Sequence, residues 1–136
     1  GLIHIGSLQK LEKLNLASSR ISDDGLKYLS GLHKLTELNL NNTGIGNSRL
    51  YELLKLEKLE VLRLTRTRVS DEGMIHLGKM PKLCSLTLFR RNISDEGLMH
   101  LHGLKNLQWL NLGQTRVTDV GVKRIKKTIP ELRVQH

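Results

Sequence analysis

The chain has 136 residues, of which 38% are hydrophobic but only 3% aromatic, so we expect one domain with an aliphatic core. Its formal net charge of +9 at pH 7 is consistent either with acidic partners or simply with solubility, and no apolar run is long enough to cross a membrane. The single cysteine, Cys84, excludes an internal disulfide and favours a reducing compartment. We therefore expect an intracellular, cytoplasmic protein.

The chain opens on residues 1–10, which match only the second half of a unit that recurs further along. Leu2, Ile5 and Leu8 are spaced by three, and this spacing predicts one apolar edge on a short helix. Nothing in the sequence caps the apolar end of this partial repeat, whereas arrays of repeats normally end on a polar face. We expect the chain to be a fragment of a longer protein; the alternative is that another subunit covers this end.

Five units of 24 residues follow the partial repeat, and they begin at Leu11, Leu35, Leu59, Leu83 and Leu107. Each unit has leucine at its positions 1, 4 and 6 and isoleucine or valine at position 11. Leucines two residues apart predict a short strand, and the apolar residues spaced by three that follow predict a short helix. Residues 130–136, which contain Leu132-Arg133-Val134 after one inserted residue, predict a terminal strand. Residues 1–136 are thus expected to form a single domain.

A Ser/Thr-Asp-x-Gly signal precedes four of the predicted helices, at residues 22–25, 70–73, 94–97 and 118–121. Acidic residues suit the first turn of a helix, so helix capping is the interpretation we favour over metal binding or catalysis for Asp23, Asp71, Asp95 and Asp119. The glycine is expected to permit close packing against the previous repeat. The second unit has Arg49 where that glycine would stand, so its convex segment should be displaced.

The unit L-x-x-L-x-L-x-x-T-x-V-[ST]-D-x-G-L-x-x-L-x-x-L resembles a leucine-rich repeat. It is especially similar to the 24-residue "TDxGL" variety of large bacterial repeat proteins, and also to the repeats of F-box substrate receptors, whose cysteines it lacks. The resemblance implies an α/β solenoid with parallel strands on the concave face and short helices on the convex face.

The same resemblance implies that position 9 carries a small polar side chain that satisfies backbone groups along the stack. Four units fit, with Ser19, Thr43, Thr67 and Thr115. The fourth unit has Arg91 instead, and a charged group is costly to bury. Either Arg91 turns outward or the series is interrupted there, with Asn92 as a substitute.

Strand residues at positions 3, 5, 7 and 8 are expected to face the concave side, where they bring the only tryptophan and the only phenylalanine beside arginines. This composition is typical of interface hot spots. We predict a binding patch of Arg63, Arg66, Phe89, Arg90 and Trp109, flanked by Val61, Arg68, Arg91 and Arg116. The alternative is that the two aromatic rings pack against neighbouring strands while the arginines are simply solvated.

Protein recognition through the concave face is the function that we favour, with an acidic partner and an adaptor or substrate-receptor role. Binding of nucleic acid or another polyanion, through the patch and the basic C-terminal helix, is the alternative. No nucleophile, base and orienting group converge, so we do not expect an enzyme. Cys84, His76 and His100 are interpreted as surface or structural residues, and we expect no metal, cofactor, small-molecule substrate or membrane partner.

Overall fold

The computed structural model of the protein describes residues 2–90 and 92–136. Six strands form one parallel sheet in chain order: β1 (Lys13–Asn15), β2 (Glu37–Asn39), β3 (Val61–Arg63), β4 (Ser85–Thr87), β5 (Trp109–Asn111) and β6 (Arg133–Gln135). Each residue pairs with the one 24 positions later, so that Leu14, Leu38 and Leu62 lie side by side. The predicted parallel solenoid is confirmed.

Short helices connect the strands and pack against one another along the other side of the core. Three are 3₁₀ helices, at Ile5–Ser7, Asp23–Leu29 and Leu50–Lys55, and three are α-helices: α1 (Asp71–Leu77), α2 (Asp95–Met99) and α3 (Asp119–Thr128). In the unit that carries Arg49, the helix begins three repeat positions later than α1 and α2 do, which is the displacement expected there. Among the described residues, no helix is both long enough and apolar enough to span a bilayer.

The core lies between the sheet and the helices and consists of the repeated leucines. Leu38, Leu62, Leu86 and Leu110, which occupy one column of the sheet, are completely buried. Burying one such side chain stabilises the fold by about 2 kcal/mol, so a column repeated in every unit makes each repeat depend on its neighbours. The first repeat is less well covered, since Leu14 and its neighbours are only half-buried.

The aspartates of the Ser/Thr-Asp-x-Gly signal join successive repeats. One carboxylate oxygen of Asp71 accepts the Ser94 N–H at 2.8 Å, and the other accepts the Ser94 hydroxyl at 2.5 Å. Asp95 binds the N–H and hydroxyl of Thr118 in the same way, at 2.8 and 2.6 Å. Our prediction that these carboxylates cap their own helices was wrong, because the free N–H of the next stacked repeat lies within their reach. The Ser94 hydroxyl itself accepts the Glu96 N–H at the start of α2.

This aspartate ladder continues through the irregular units with different partners. Asn47 replaces aspartate in the second unit, where its Oδ1 accepts the Ser70 N–H at 3.0 Å and its Nδ2 donates to the Ser70 hydroxyl at 2.6 Å. Asp23, which faces the unit with Arg49, accepts the Gly46 N–H at 2.6 Å and the Ser48 hydroxyl. Asp119, which is exposed, contacts Nε2 of the C-terminal His136 at 2.6 Å. Asp23 and Asp119 thus also have partners outside their own helices.

The glycine of the signal is explained by the same ladder. A Cβ placed on Gly97 would overlap the Asp71 carboxylate and lie 3.0 Å from the Asp71 Cα. A Cβ on Gly73 would lie 2.5 Å from Oδ1 of Asn47. Real Cβ atoms do not approach so closely, so close packing on the previous repeat requires glycine here, as expected.

The small polar residues at position 9 stabilise the turn that follows each strand. Their hydroxyls donate to the carbonyl three residues earlier at 2.6–2.8 Å, in Ser19, Thr43, Thr67 and Thr115. Arg91 lies outside the described residues. Asn92 is exposed and its N–H donates to the Arg90 carbonyl at 2.9 Å, so its side chain does not take the place of a buried threonine.

Candidate protein-binding surface

Position 5 of each unit faces the concave side, and asparagines there are already committed to the backbone. The Oδ1 atoms of Asn15, Asn39 and Asn111 each accept the N–H two residues later at 3.0 Å. These amides therefore hold the ends of their strands. Arg63 stands at the same position in the third unit, where its guanidinium lies 3.9 Å from the Glu37 carboxylate.

Position 8 of each unit, just beyond the strand, adopts the left-handed backbone conformation without a glycine. Its φ angle is 55–59° in four units, which carry Ser18, Asn42, Arg66 and Gln114. The Arg66 N–H still bonds to the Phe89 carbonyl of the next repeat at 3.1 Å, so this conformation turns the chain while keeping the repeats hydrogen-bonded. Arg90, in the fourth unit, departs from the others with φ 132°. A left-handed backbone costs an ordinary residue about 1 kcal/mol, and two arginines of the predicted patch stand at this costly position.

The predicted patch is divided along the strands. Trp109 pairs with Ser85 in the sheet, whereas Phe89 follows Ser85 by four residues. At the rise of an extended chain, this separation is about 13 Å, which places the two aromatic residues at opposite ends of the strands. The structure therefore does not gather the patch into one cluster around both rings.

Phe89 is half-buried and packs onto the next repeat. A Cβ added to Gly113 would lie 2.7 Å from Cδ2 of Phe89, so the ring covers that glycine. For Phe89 the alternative interpretation, packing against a neighbouring strand, is the one that the structure supports. Trp109 differs, because 38% of it stays exposed although its strand, β5, has a neighbouring strand on each side.

Trp109 lines a surface cleft of about 580 Å³ together with Gln108, Glu131 and Arg133, which we call the Trp109 cleft. Arg133 is the residue paired with Trp109 across β5 and β6. The inserted residue that we placed before the last strand was wrong, since this pairing keeps the 24-residue spacing. That error hid Arg133 from the sequence analysis, and continuing the column past Trp109 by one more period would have found it.

Arg63 and Val61, on β3, lie beside an acidic neighbour. Glu37 on β2 forms an ion pair with Lys13 at 2.9 Å and a looser one with Arg63 at 3.9 Å. The hydrogen bond from Lys13 lowers the pKa of Glu37 and raises that of Lys13. Val61 is half-buried. Arg63 is thus partly neutralised, and its side chain remains 42% exposed.

Four further arginines form a ridge where the strands end, which we call the arginine ridge: Arg66, Arg68, Arg90 and Arg116. All four are exposed, and none has a carboxylate of the described residues within 4.0 Å. Two of them are anchored through the backbone, because the N–H groups of Arg68 and Arg116 donate to Ile45 and Ile93 of the preceding repeats at 2.7 and 2.9 Å. The nearby Asp71 and Asp95 are engaged in the aspartate ladder. The ridge therefore carries uncompensated positive charge.

Two members of the ridge border a second cleft, of about 520 Å³, which we call the Arg68–Arg90 cleft. The residues that line it all have polar side chains: Thr67, Arg68, Arg90, Asn92 and Gln114. These residues come from the turns after β3, β4 and β5, so three repeats build it. The prediction from sequence contained both arginines but neither of the two amide side chains.

Cys84, His76 and His100 show no features of a reactive site. Burial, followed by the charge of Glu60, raises the pKa of the Cys84 thiol, whereas a nucleophilic cysteine needs a lowered pKa. The ring of His76 meets Tyr51 edge-on, with 6.1 Å between the ring centroids. Within residues 2–90 and 92–136, no three His, Cys, Asp or Glu side chains are close enough together to hold a metal ion.

The repeated strand–turn–helix unit also matches a known family at the level of sequence. The family model described as Leucine Rich repeat matches residues 7–30, 31–48 and 55–78. Over these residues the chain is similar to leucine-rich-repeat proteins. Leucine-rich repeats generally serve as protein-interaction modules and are typically not enzymes. A comparison with curated protein sequences gives no significant match.

Three of the solved structures that share this fold come from bacteria. Internalin C2 from Listeria monocytogenes shares 28% identity with this chain at a TM-score of 0.81, over 99% of this chain and 55% of that one. An internalin F of the same organism has 19% identity and a TM-score of 0.56 over 99% and 50% of the two chains. A leucine-rich-repeat protein from Leptospira interrogans has 22% identity and a TM-score of 0.66 over 98% and 39%. The chain thus spans about half the length, or less, of each of them.

Proposed function

We propose that this protein binds a partner protein through its strand side, as an adaptor or substrate-receptor segment. The observation that carries the proposal is Trp109 on β5, a tryptophan that stays 38% exposed beside Arg133 on β6. Exposed tryptophan next to arginine is the composition that dominates binding energy at protein interfaces. The partner covers the Trp109 cleft and extends across β3–β5 to the arginine ridge.

The partner surface that fits this face is acidic. Arg66, Arg68, Arg90 and Arg116 stand without carboxylates of the described residues nearby, whereas Glu37 faces the other end of the strands. This asymmetry fixes the orientation of a partner whose acidic residues meet the ridge. Steering of this kind weakens as salt rises, because charges more than about 8 Å apart are screened at physiological ionic strength.

Site-specific crosslinking tests which face binds. A photoreactive amino acid is introduced in place of Trp109 on the strand side or, as the matched control, in place of Ile75, which is 43% exposed on α1. A partner protein should be captured from position 109 and not from position 75. Capture from position 75 alone would show that the helix side binds instead.

The affinity for a partner captured in this way gives the quantitative test. Trp109→Ala removes a central aromatic anchor and should weaken binding by about 30-fold, which corresponds to the 2 kcal/mol of a hot spot. Arg66→Ala should weaken it less, mainly through a slower association rate at low salt. Unchanged affinity for both variants would contradict the proposal.

A further inference from the structure

The Arg68–Arg90 cleft has the chemistry of an anion site. Its lining offers two guanidinium groups and the side-chain amides of Asn92 and Gln114, and none of these groups is acidic. The Thr67 hydroxyl donates to the Leu64 carbonyl at 2.8 Å, so its proton is already used and it is not counted among the donors to a ligand. Groups that present this many hydrogen-bond donors to one space bind an oxyanion.

The positive charge of the cleft persists because the acids closest in sequence are engaged elsewhere. Both oxygens of Asp71 are bonded to Ser94, and both oxygens of Asp95 to Thr118. Bonds from Thr118 lower the pKa of Asp95 even though its burial acts in the opposite direction. These carboxylates are therefore fixed in the aspartate ladder, and neither lies within 4.0 Å of Arg68 or Arg90.

We propose that the Arg68–Arg90 cleft binds a phosphomonoester group carried by a side chain of the partner protein. The inference rests on the proposed function, since it names what the acidic partner presents to the arginine ridge. A phosphomonoester carries a charge of about −1.5 to −2 at pH 7 and three acceptor oxygens, which match two guanidiniums and two amides better than a carboxylate does.

A nucleic-acid backbone fits the same cleft less well. Single strands are held by aromatic rings on which bases stack beside a basic track. Near this cleft the ring of Phe89 is occupied by its packing on Gly113, and Trp109 lies at the other end of the strands. The cleft therefore offers charge and hydrogen bonds without a stacking surface.

Titrations followed by two-dimensional amide NMR test the site directly. The probes are N-acetyl-phosphoserine amide, its unphosphorylated form, and dimethyl phosphate as a singly charged phosphodiester, at constant ionic strength. The phosphoserine probe should shift the amide signals of Thr67, Asn92 and Gln114 in a saturable manner. Its dissociation constant should be at least 10-fold lower than that of dimethyl phosphate. The double variant R68Q/R90Q should lose that preference, whereas R20Q, which replaces an exposed arginine at the repeat position of Arg68, should keep it.

Three results would overturn the inference: equal binding of the phosphoserine probe and its unphosphorylated form, equal binding of phosphoserine and dimethyl phosphate, or an unchanged preference in R68Q/R90Q. The Trp109→Ala variant separates this proposal from the previous one. It should leave the phosphoserine titration unchanged while it weakens the binding of the whole partner, so either proposal can fail alone.

Discussion

Replacing Gly97 by alanine tests whether the aspartate ladder holds the repeats together. The added Cβ would lie 2.7 Å from Cγ and 3.0 Å from Cα of Asp71, so the carboxylate must move away. Its two bonds to Ser94 are then lost, at 2.8 and 2.5 Å in the native structure. Helix propensity alone predicts the opposite result, since alanine stabilises a helix by about 0.5–1 kcal/mol relative to glycine.

The magnitude follows from the terms that oppose each other. Forcing an extra methyl group into packed structure costs about 1–3 kcal/mol, and losing hydrogen bonds to a charged acceptor costs about 1.5–3 kcal/mol. The cost of the lost hydrogen bonds is reduced because the Asp71 carboxylate is only partly buried and can bind water instead. With the propensity gain subtracted, we expect Gly97→Ala to lower the free energy of unfolding by about 2 kcal/mol.

Urea unfolding followed by circular dichroism measures the effect, with Gly103→Ala as the matched control. A Cβ on Gly103 would meet no atom within 4 Å, so that variant should be neutral or slightly stabilised. In an Asp71→Ala background, Gly97→Ala should cost clearly less, since the obstructing carboxylate is gone and only the 3.0 Å approach to the Cα of residue 71 remains. The reasoning is refuted if Gly97→Ala is as stable as Gly103→Ala, or if its cost is the same with and without Asp71.

Three other variants probe the strand side and the ladder. Arg66→Asn should raise the urea midpoint by an amount equivalent to about 0.5–1 kcal/mol, because asparagine tolerates the left-handed backbone at φ 56° better than arginine; a lower midpoint would contradict this. Phe89→Ala should destabilise the protein by about 1–2 kcal/mol through loss of packing on Gly113, whereas Trp109→Ala should cost less in the same unfolding assay. The folded pKa of Asp95 is lowered, so its contribution is present above the unfolded pKa and is lost as the pH falls through the folded value. The stability difference between the native protein and Asp95→Ala should therefore shrink between pH 7 and pH 3, and a constant difference would argue against the ladder bond.

The buried part of the fold was predictable because it depends on residues that the sequence repeats at fixed spacing. Leu62 and Leu86 occupy the same position in successive units, and the pairing of β3 with β4 places them side by side. The need for glycine at Gly97 was also predictable, because the same position holds glycine in several units. The displaced helix after Arg49 was predictable because Arg49 replaces that glycine in the second unit.

The surface was predicted only in part, because neighbouring repeats decide what each exposed group contacts. Asp71 was interpreted as a cap of its own helix, but its partner is 23 residues later in the chain. Phe89 and Trp109 were assigned to one patch because both face the strand side, yet they stand at opposite ends of the strands. Position within a repeat identifies the face of the solenoid and the offset along the strand, but not which side chain packs against the next repeat.

The sequence by itself determined the period, the parallel register and the aliphatic core. The reason is that only parallel pairing of equivalent positions buries the same apolar residues in every repeat. Only the tertiary structure decided that the ladder engages Asp71 and Asp95, that Phe89 packs down while Trp109 stays exposed, and that Arg68 and Arg90 border one polar cleft. The physical reason is that these outcomes are set by hydrogen bonds and contacts between stacked repeats, which form only once the backbone brings residues 23 or 24 positions apart into contact.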